Sequence, residues 1–234
     1  MLVPVAILPV LVLLLLVAVA AVVLRRGGPV RATGDIHYLA LGDSYTIGTS
    51  VGPDRSFPHR LAARLETASG KPVGVVNLGV NGYTTTNLIR NELPHLRDAR
   101  WDVITVLIGT NDYVQGRSDD QYRASLRRIY DELKQVGLPH GRVVAVSVPD
   151  FSYTPAGGSF GRPADIEAAL RRFNAVNRQE AERAGLPFIE IFETSRSRIG
   201  SPGWLAADGL HPGEVQLQAW ADYIWEQAGA GLSP

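Results

Sequence analysis

Three polar loops and one acid–imidazole pair carry the residue types that acyl transfer requires. Gly42-Asp43-Ser44-Tyr45 sets a hydroxyl directly after an apolar run, and Gly109-Thr110-Asn111-Asp112 sets a carboxamide directly after another. Between them lies Asn77-Leu78-Gly79-Val80-Asn81-Gly82, whose glycines let a backbone come close to a ligand. Near the end of the chain, Asp208-Gly209-Leu210-His211-Pro212 places a carboxylate and an imidazole three residues apart. A serine hydroxyl is a weak nucleophile at neutral pH and needs a base, for which His211 is the candidate. The base needs an acceptor to fix its ring, and Asp208 is spaced to hold one nitrogen while the other takes the proton of Ser44. Attack on an ester carbonyl creates an oxyanion, which the N–H of Ser44, the N–H of Gly79 and the side-chain amide of Asn111 can bind. One such donor is worth about 2.7–4 kcal/mol, or roughly 10²–10³ in rate.

These loops can meet only if the elements before them run side by side. Apolar runs stand at Ile36 to Leu41, Val73 to Leu78, Asp102 to Ile108, Arg142 to Val148 and Pro187 to Phe192, and several are apolar on consecutive residues, as strands buried on both faces are. Helical spacing marks Phe57 to Ser69, Thr84 to Leu96, Asp120 to Val136, Ala164 to Ala184 and Pro212 to Ala228. Gly70, Gly137 and Gly185 stand just past three of these, where a helix commonly ends on a left-handed residue. Strict alternation predicts one α/β domain over residues 33–234, a three-layer α/β/α sandwich on a five-stranded parallel sheet. In the strand order 2-1-3-4-5, the crevice at the carboxyl ends of strands one and three is the topological switch point where ligands bind. The loops after Leu41 and Ile108 open there.

With all four blocks present in order, the chain resembles the GDSL-type esterases and lipases of the SGNH hydrolase superfamily. The four marker residues of that family, Ser, Gly, Asn and His, map onto Ser44, Gly79, Asn111 and His211, with Asp208 as the third member of the triad. The resemblance runs from about Ile36 to Ala228. It implies a flavodoxin-like fold, a metal-independent serine hydrolase mechanism, and ester, lipid or acylated-sugar substrates. One departure is Gln216, which stands where a small residue is expected.

Composition narrows the partners. The 234 residues include 23 basic and 23 acidic side chains, 5 His and no Cys. A cysteine nucleophile, a disulfide framework and a thiolate metal site are therefore excluded. Basic residues are scattered rather than clustered, which argues against a nucleic-acid surface. There is no Walker motif and no G-x-G-x-x-G after a strand, so no cofactor or metal is expected. A small-molecule or lipid ester remains the expected substrate.

Residues 1–24 contain only Met, Leu, Val, Ala, Ile and Pro. As a helix at 1.5 Å per residue they reach about 36 Å, enough to cross a hydrocarbon core of about 30 Å. A cleaved signal peptide is the alternative, with Ala18-Val19-Ala20 as its cleavage site, but no basic residue precedes the apolar run. Length and the missing basic start favour a single-pass membrane anchor, followed by a linker at 25–32. Arg25, Arg26 and Arg31 follow the segment and favour a cytoplasmic domain, although large domains cross regardless of such charges. The side of the membrane stays open.

Ordinary structural uses compete for these residues. An isolated Ser44 could simply cap a helix. Asp43 is expected to bond loop N–H groups, and Asp112 to start a helix or brace a loop. His37, His59, His95 and His140 are read as structural, without an acidic partner at useful spacing. The loop from Asp150 to Pro163, with Phe151, Tyr153 and Phe160, is either an apolar rim of the site or a plain connector. The segment from Ser44 to Thr49 loosely resembles a flavodoxin phosphate loop, which suggests a non-catalytic mononucleotide- or glycan-binding module. Such a module does not require Asn111 or the Asp208/His211 pair. An acyltransferase, with a sugar hydroxyl in place of water, would use the same residues as the hydrolase.

Overall fold

Five short apolar runs pair in parallel into one sheet: β1 (Ile36–Gly42), β2 (Val73–Asn77), β3 (Val103–Leu107), β4 (Val143–Val146) and β5 (Phe188–Ile189). The structure, a computed structural model, describes residues 29–233. Its strand order is β2-β1-β3-β4-β5, the order on which the switch-point expectation rested. Ala40 lies opposite both Asn77 and Thr105, and Gly42 lies opposite Leu107, so the chain leaves β1, β2 and β3 at one edge. β3 and β4 are buried along their whole length, because helices cover both faces.

Among the described residues, eight helices connect and cover the strands: α1 (Ser44–Ile47), α2 (Phe57–Ser69), α3 (Thr85–Asn91), α4 (Thr110–Val114), α5 (Asp119–Lys134), α6 (Pro163–Ala184), α7 (Phe192–Arg196) and α8 (Glu214–Leu232). On one face, Phe57, Leu61 and Leu65 of α2 meet Leu217, Trp220 and Ile224 of α8 over Tyr38, Ala40, Val144 and Val146. On the other, α5 packs on α6, with the Tyr122 ring stacked on Phe173 at 4.5 Å. Polar side chains tie this layer to the strand ends. Tyr122 donates to Ile108 O at 2.9 Å, and Asn174 exchanges two 2.9 Å hydrogen bonds with the backbone of Val148. These bonds satisfy buried backbone groups just past the strands, where no neighbouring strand is left to pair with them.

Helix α2 has the bounds that its spacing predicts, and Gly70, Gly137 and Gly185 take φ of 67°, 74° and 74°. The stretch predicted as one helix over 84–96 is divided. A Thr84/Asn87 capping box starts α3, which ends at Asn91, and Leu93–Arg97 continues as a 3₁₀ turn. Pro94 lacks an N–H and disfavours the α conformation at Leu93, so the break falls there. Strand β5 is shorter than its apolar run, because Ile191 N donates to Ser147 Oγ and α7 begins at Phe192. The apolar segment 1–24 and most of the linker at 25–32 lie outside the described residues. Among the described residues, no helix is long and apolar enough to cross a membrane.

Candidate active site

The serine is presented by a tight turn at the end of β1. Gly42 has φ 152°, and a Cβ there would lie 2.2 Å from Leu107 O, so the close approach of β1 to β3 requires glycine. Asp43 is fully buried. Its Oδ1 accepts the N–H of Tyr45 at 3.0 Å, and its backbone oxygen accepts from Thr46 and Ile47. These bonds cap the single turn of α1 and leave Ser44 at its first position, 8% exposed at the floor of a pocket. The Ser44 N–H has no partner among the described residues. Thr46, by contrast, is wholly buried with Oγ1 directed at Leu41 O and Leu107 O. Its hydroxyl serves the turn and is not among the donors open to a ligand.

Asp208 and His211 sit in a closed loop. Leu205 and Pro212 form an antiparallel bridge, Ala206 N donates to His211 O at 2.9 Å, and Gly213 N donates to Trp204 O at 2.8 Å. Within the loop, Asp208 Oδ1 accepts the N–H groups of Leu210 and His211, both at 2.9 Å. Its Oδ2 faces His211 Nδ1 at 2.7 Å. Partial burial works against ionisation of Asp208, but donors from Ser50, Leu210 and His211 outweigh it and hold the carboxyl well below the usual range. An ionised Asp208 selects the tautomer in which Nδ1 donates, leaving Nε2 free to accept a proton. The Tyr45 ring packs 5.6 Å from the imidazole and sets its outer face. No hydrogen bond joins Ser44 Oγ to His211 Nε2, although both residues line the same pocket. Such contacts often tighten only when substrate binds.

The donors around Ser44 are arranged differently from the sequence-based expectation. Asn111, on α4, lines the pocket, and its Nδ2 donates to Tyr83 O at 3.0 Å and to Asp43 Oδ2 at 3.4 Å. Gly79 does not line the pocket. Its N–H donates to Asn77 Oδ1 at 3.1 Å, and a Cβ there would lie 2.8 Å from Asp43 O and Ile47 N. The missing side chain at 79 thus lets the serine turn pack down, and its N–H is already used. Gly82, three residues further along, lines the pocket with φ 78°, and its N–H has no partner among the described residues. The loop Asn77–Gly82 was legible as a ligand loop, but which of its glycines faces the ligand depends on a turn that spacing alone does not reveal.

The pocket is a cavity of about 190 Å³ whose apolar wall is formed by Tyr45, Val114, Phe151, Phe160 and Leu210. Phe151 and Phe160 of the loop after β4 therefore reach the site. Phe151 is buried against Val148, Ile166, Leu170 and Phe192, whereas Phe160 is 40% exposed and meets Phe151 edge-on at 5.7 Å. Gln216 is buried without disturbing α8, since its Nε2 donates to Ser195 O at 2.6 Å and to Tyr153 Oη at 2.9 Å. Asp112 braces α3 by accepting from Thr85 N and Thr85 Oγ1, with Arg117 alongside. His95 departs from the expectation that it lacks an acidic partner: its Nδ1 lies 2.5 Å from Asp98 Oδ2. That pair precedes β3, at the opposite edge of the sheet from Ser44, so it cannot serve this pocket.

Comparison with known proteins follows the same lines. Over 200 residues, 84% of this chain and 85% of the relative, the chain is 24% identical to thioesterase 1/protease 1/lysophospholipase L1 of Escherichia coli K12. A lipase/acylhydrolase from Enterococcus faecalis superposes with a TM-score of 0.66 at 19% identity, over 84% of this chain and 97% of that one. An acetyl xylan esterase from Geobacillus stearothermophilus superposes with a TM-score of 0.66, also at 19% identity, over 85% and 96%. Residues 40–215 match the GDSL-like lipase/acylhydrolase family, and since that span holds every block described above, the chain belongs to this family.

Proposed function

We propose that this chain hydrolyses carboxylic esters through an acyl-enzyme on Ser44. His211 takes the serine proton through Nε2 and returns it to the leaving alcohol, and water then repeats the sequence on the acyl-enzyme. Asp208 orients the imidazole and stabilises its charged form. The N–H of Ser44, the N–H of Gly82 and the amide of Asn111 receive the oxyanion, with Asn111 giving up one of its present acceptors to do so. The observation that carries this reading is a single one: Ser44, Asn111 and an Asp208-bound His211 line one apolar-walled pocket. A cavity of about 190 Å³ suits a short acyl chain, with the alcohol portion directed past Phe160 toward solvent. The lipase, thioesterase and acetyl esterase names of its relatives agree with ester or thioester substrates. Residues 1–24, as a membrane anchor, would hold the domain close to lipid esters.

The test is covalent. A fluorophosphonate should add once to the parent protein at Ser44, as read by intact mass, and not at all to Ser44→Ala. A folded parent protein that takes up no reagent would rule out an activated serine.

A further inference from the structure

The turn that ends the nucleophile helix also reaches the triad acid. After Gly48, whose left-handed φ of 79° stops α1, Val51 N and Gly52 N both donate to Gly48 O and close a tight turn over residues 48–52. Its two polar members point to different loops of the site. Thr49 Oγ1 donates to Asn81 Oδ1, and Ser50 Oγ donates to Asp208 Oδ2 at 2.5 Å. Asp208 Oδ2 is also the oxygen that faces His211 Nδ1.

Ser50 holds this position in an unfavourable backbone conformation. Among the described residues it is the one non-glycine residue with positive φ, at 68°. A side chain in that region costs of order 1–3 kcal/mol and persists where its surroundings hold it. Glycine would relieve that cost, and the turn already has glycine at 48 and 52. What glycine lacks is the hydroxyl.

We infer that Ser50 is a positioning residue of the catalytic apparatus, its hydroxyl fixing the Asp208 carboxylate in the orientation that holds His211 toward Ser44. This rests on the reading of Ser44, Asp208 and His211 as a triad. The Asp208 side chain is about one-third exposed, so without Ser50 its Oδ2 has water and the imidazole as its remaining partners. A donor on that oxygen limits rotation and also weakens its basicity. Losing the donor leaves a more basic carboxylate that grips the charged imidazole more firmly, so the base loses its proton at higher pH. Other titratable or charged groups lie around this region, among them Arg55, whose guanidinium lies beside Gly52 and is present in both proteins. Tyr45 is held neutral by burial, and Asp43, on the far side of Ser44, has no contact with Ser50 and contributes equally to both proteins compared below.

The experiment measures the rate of fluorophosphonate addition to Ser44 between pH 5 and 9, in the full chain and in Ser50→Gly, with thermal unfolding alongside. We expect Ser50→Gly to react about tenfold more slowly, with its acid midpoint raised by about half a pH unit, and to unfold at the same temperature as the parent or higher. A turn with a merely structural serine would move neither the rate nor the midpoint. An unchanged rate and midpoint in Ser50→Gly, beside a reactive parent, overturns the assignment of Ser50 alone. A parent that does not react overturns the triad, and the role of Ser50 with it.

Discussion

Asp208 grips His211 at two points: Oδ1 accepts its backbone N–H at 2.9 Å while Oδ2 faces its ring Nδ1 at 2.7 Å. One side chain thus builds the turn and orients the base, and the two roles can be separated. In Asp208→Asn a carbonyl oxygen can still accept the backbone N–H groups of Leu210 and His211, but an amide then meets Nδ1 and favours the wrong tautomer. The expected result is a fall in kcat of about 10³–10⁴ with an unfolding temperature within a few degrees of the parent. A chromogenic short-chain ester reads the first quantity and calorimetry the second. A variant that retains most of its kcat would remove Asp208 from the mechanism.

Two glycines three residues apart are expected to fail in different ways. Gly79 faces Asp43 O and Ile47 N, so a methyl group at 79 pushes the serine turn out of place. Overpacking of this kind typically costs about 1–3 kcal/mol, and Gly79→Ala should lose stability and activity together. At Gly82 nothing stands within 4 Å of a new methyl, and the cost is that of a positive φ, about 1–2 kcal/mol. Gly82→Ala should therefore stay folded while its N–H, shifted by backbone strain, supports turnover less well. Urea titration beside steady-state kinetics separates the two. Equal stability loss with unchanged kcat at 82 would mean that this N–H receives no charge.

Much of this arrangement was legible from sequence because its determinants are local. The apolar runs, the C-terminal glycines and the placement of Ser44 and Asn111 directly after strands follow from residues adjacent in the chain. The Asp208/His211 pair is likewise contained in four residues. What sequence did not disclose are relations between distant segments. The hydrogen bond from Ser50 to Asp208 spans 158 positions, and the packing of Gly79 against Asp43 depends on how two loops descend from neighbouring strands. His95 and Asp98 share the spacing of the triad pair, and only the fold shows them to be at the wrong edge.

In the loop after β4, Phe151 belongs to the core and Phe160 to the rim of the pocket. Phe151 is 2% exposed, and its truncation to Ala should cost about 3–5 kcal/mol, as for a buried aromatic elsewhere. Phe160 caps the apolar wall from the solvent side, so Phe160→Ala should leave stability within about 1 kcal/mol and lengthen the cavity. The expected readout is a shift of kcat/KM toward longer acyl chains in a series of p-nitrophenyl esters. A flat ratio between parent and variant across that series would make the rim a connector.

Asp43 is the buried carboxylate beneath the site, and its ionisation should be visible in stability. Burial raises its pKa from the ordinary range to about 7, with Asp112 nearby adding to the rise and the Tyr45 N–H opposing it. In the unfolded chain the same group ionises near pH 4. The native state therefore keeps a proton that the unfolded state releases, and stability from this group is lost as pH rises from about 4 to about 7. Asp43→Asn keeps an oxygen for the Tyr45 N–H and has no proton to lose. Its unfolding free energy relative to the parent should thus increase between pH 4.5 and pH 8, by about 3 kcal/mol. Glu92, which accepts the Gly42 N–H from beside Asp43, and Asp112 are also raised by burial, but both are present in the two proteins and largely drop out of the difference. Urea unfolding at the two pH values measures it directly. A difference that stays constant with pH would mean that Asp43 ionises in place as easily as in water, with the Tyr45 and Asn111 donors balancing its burial.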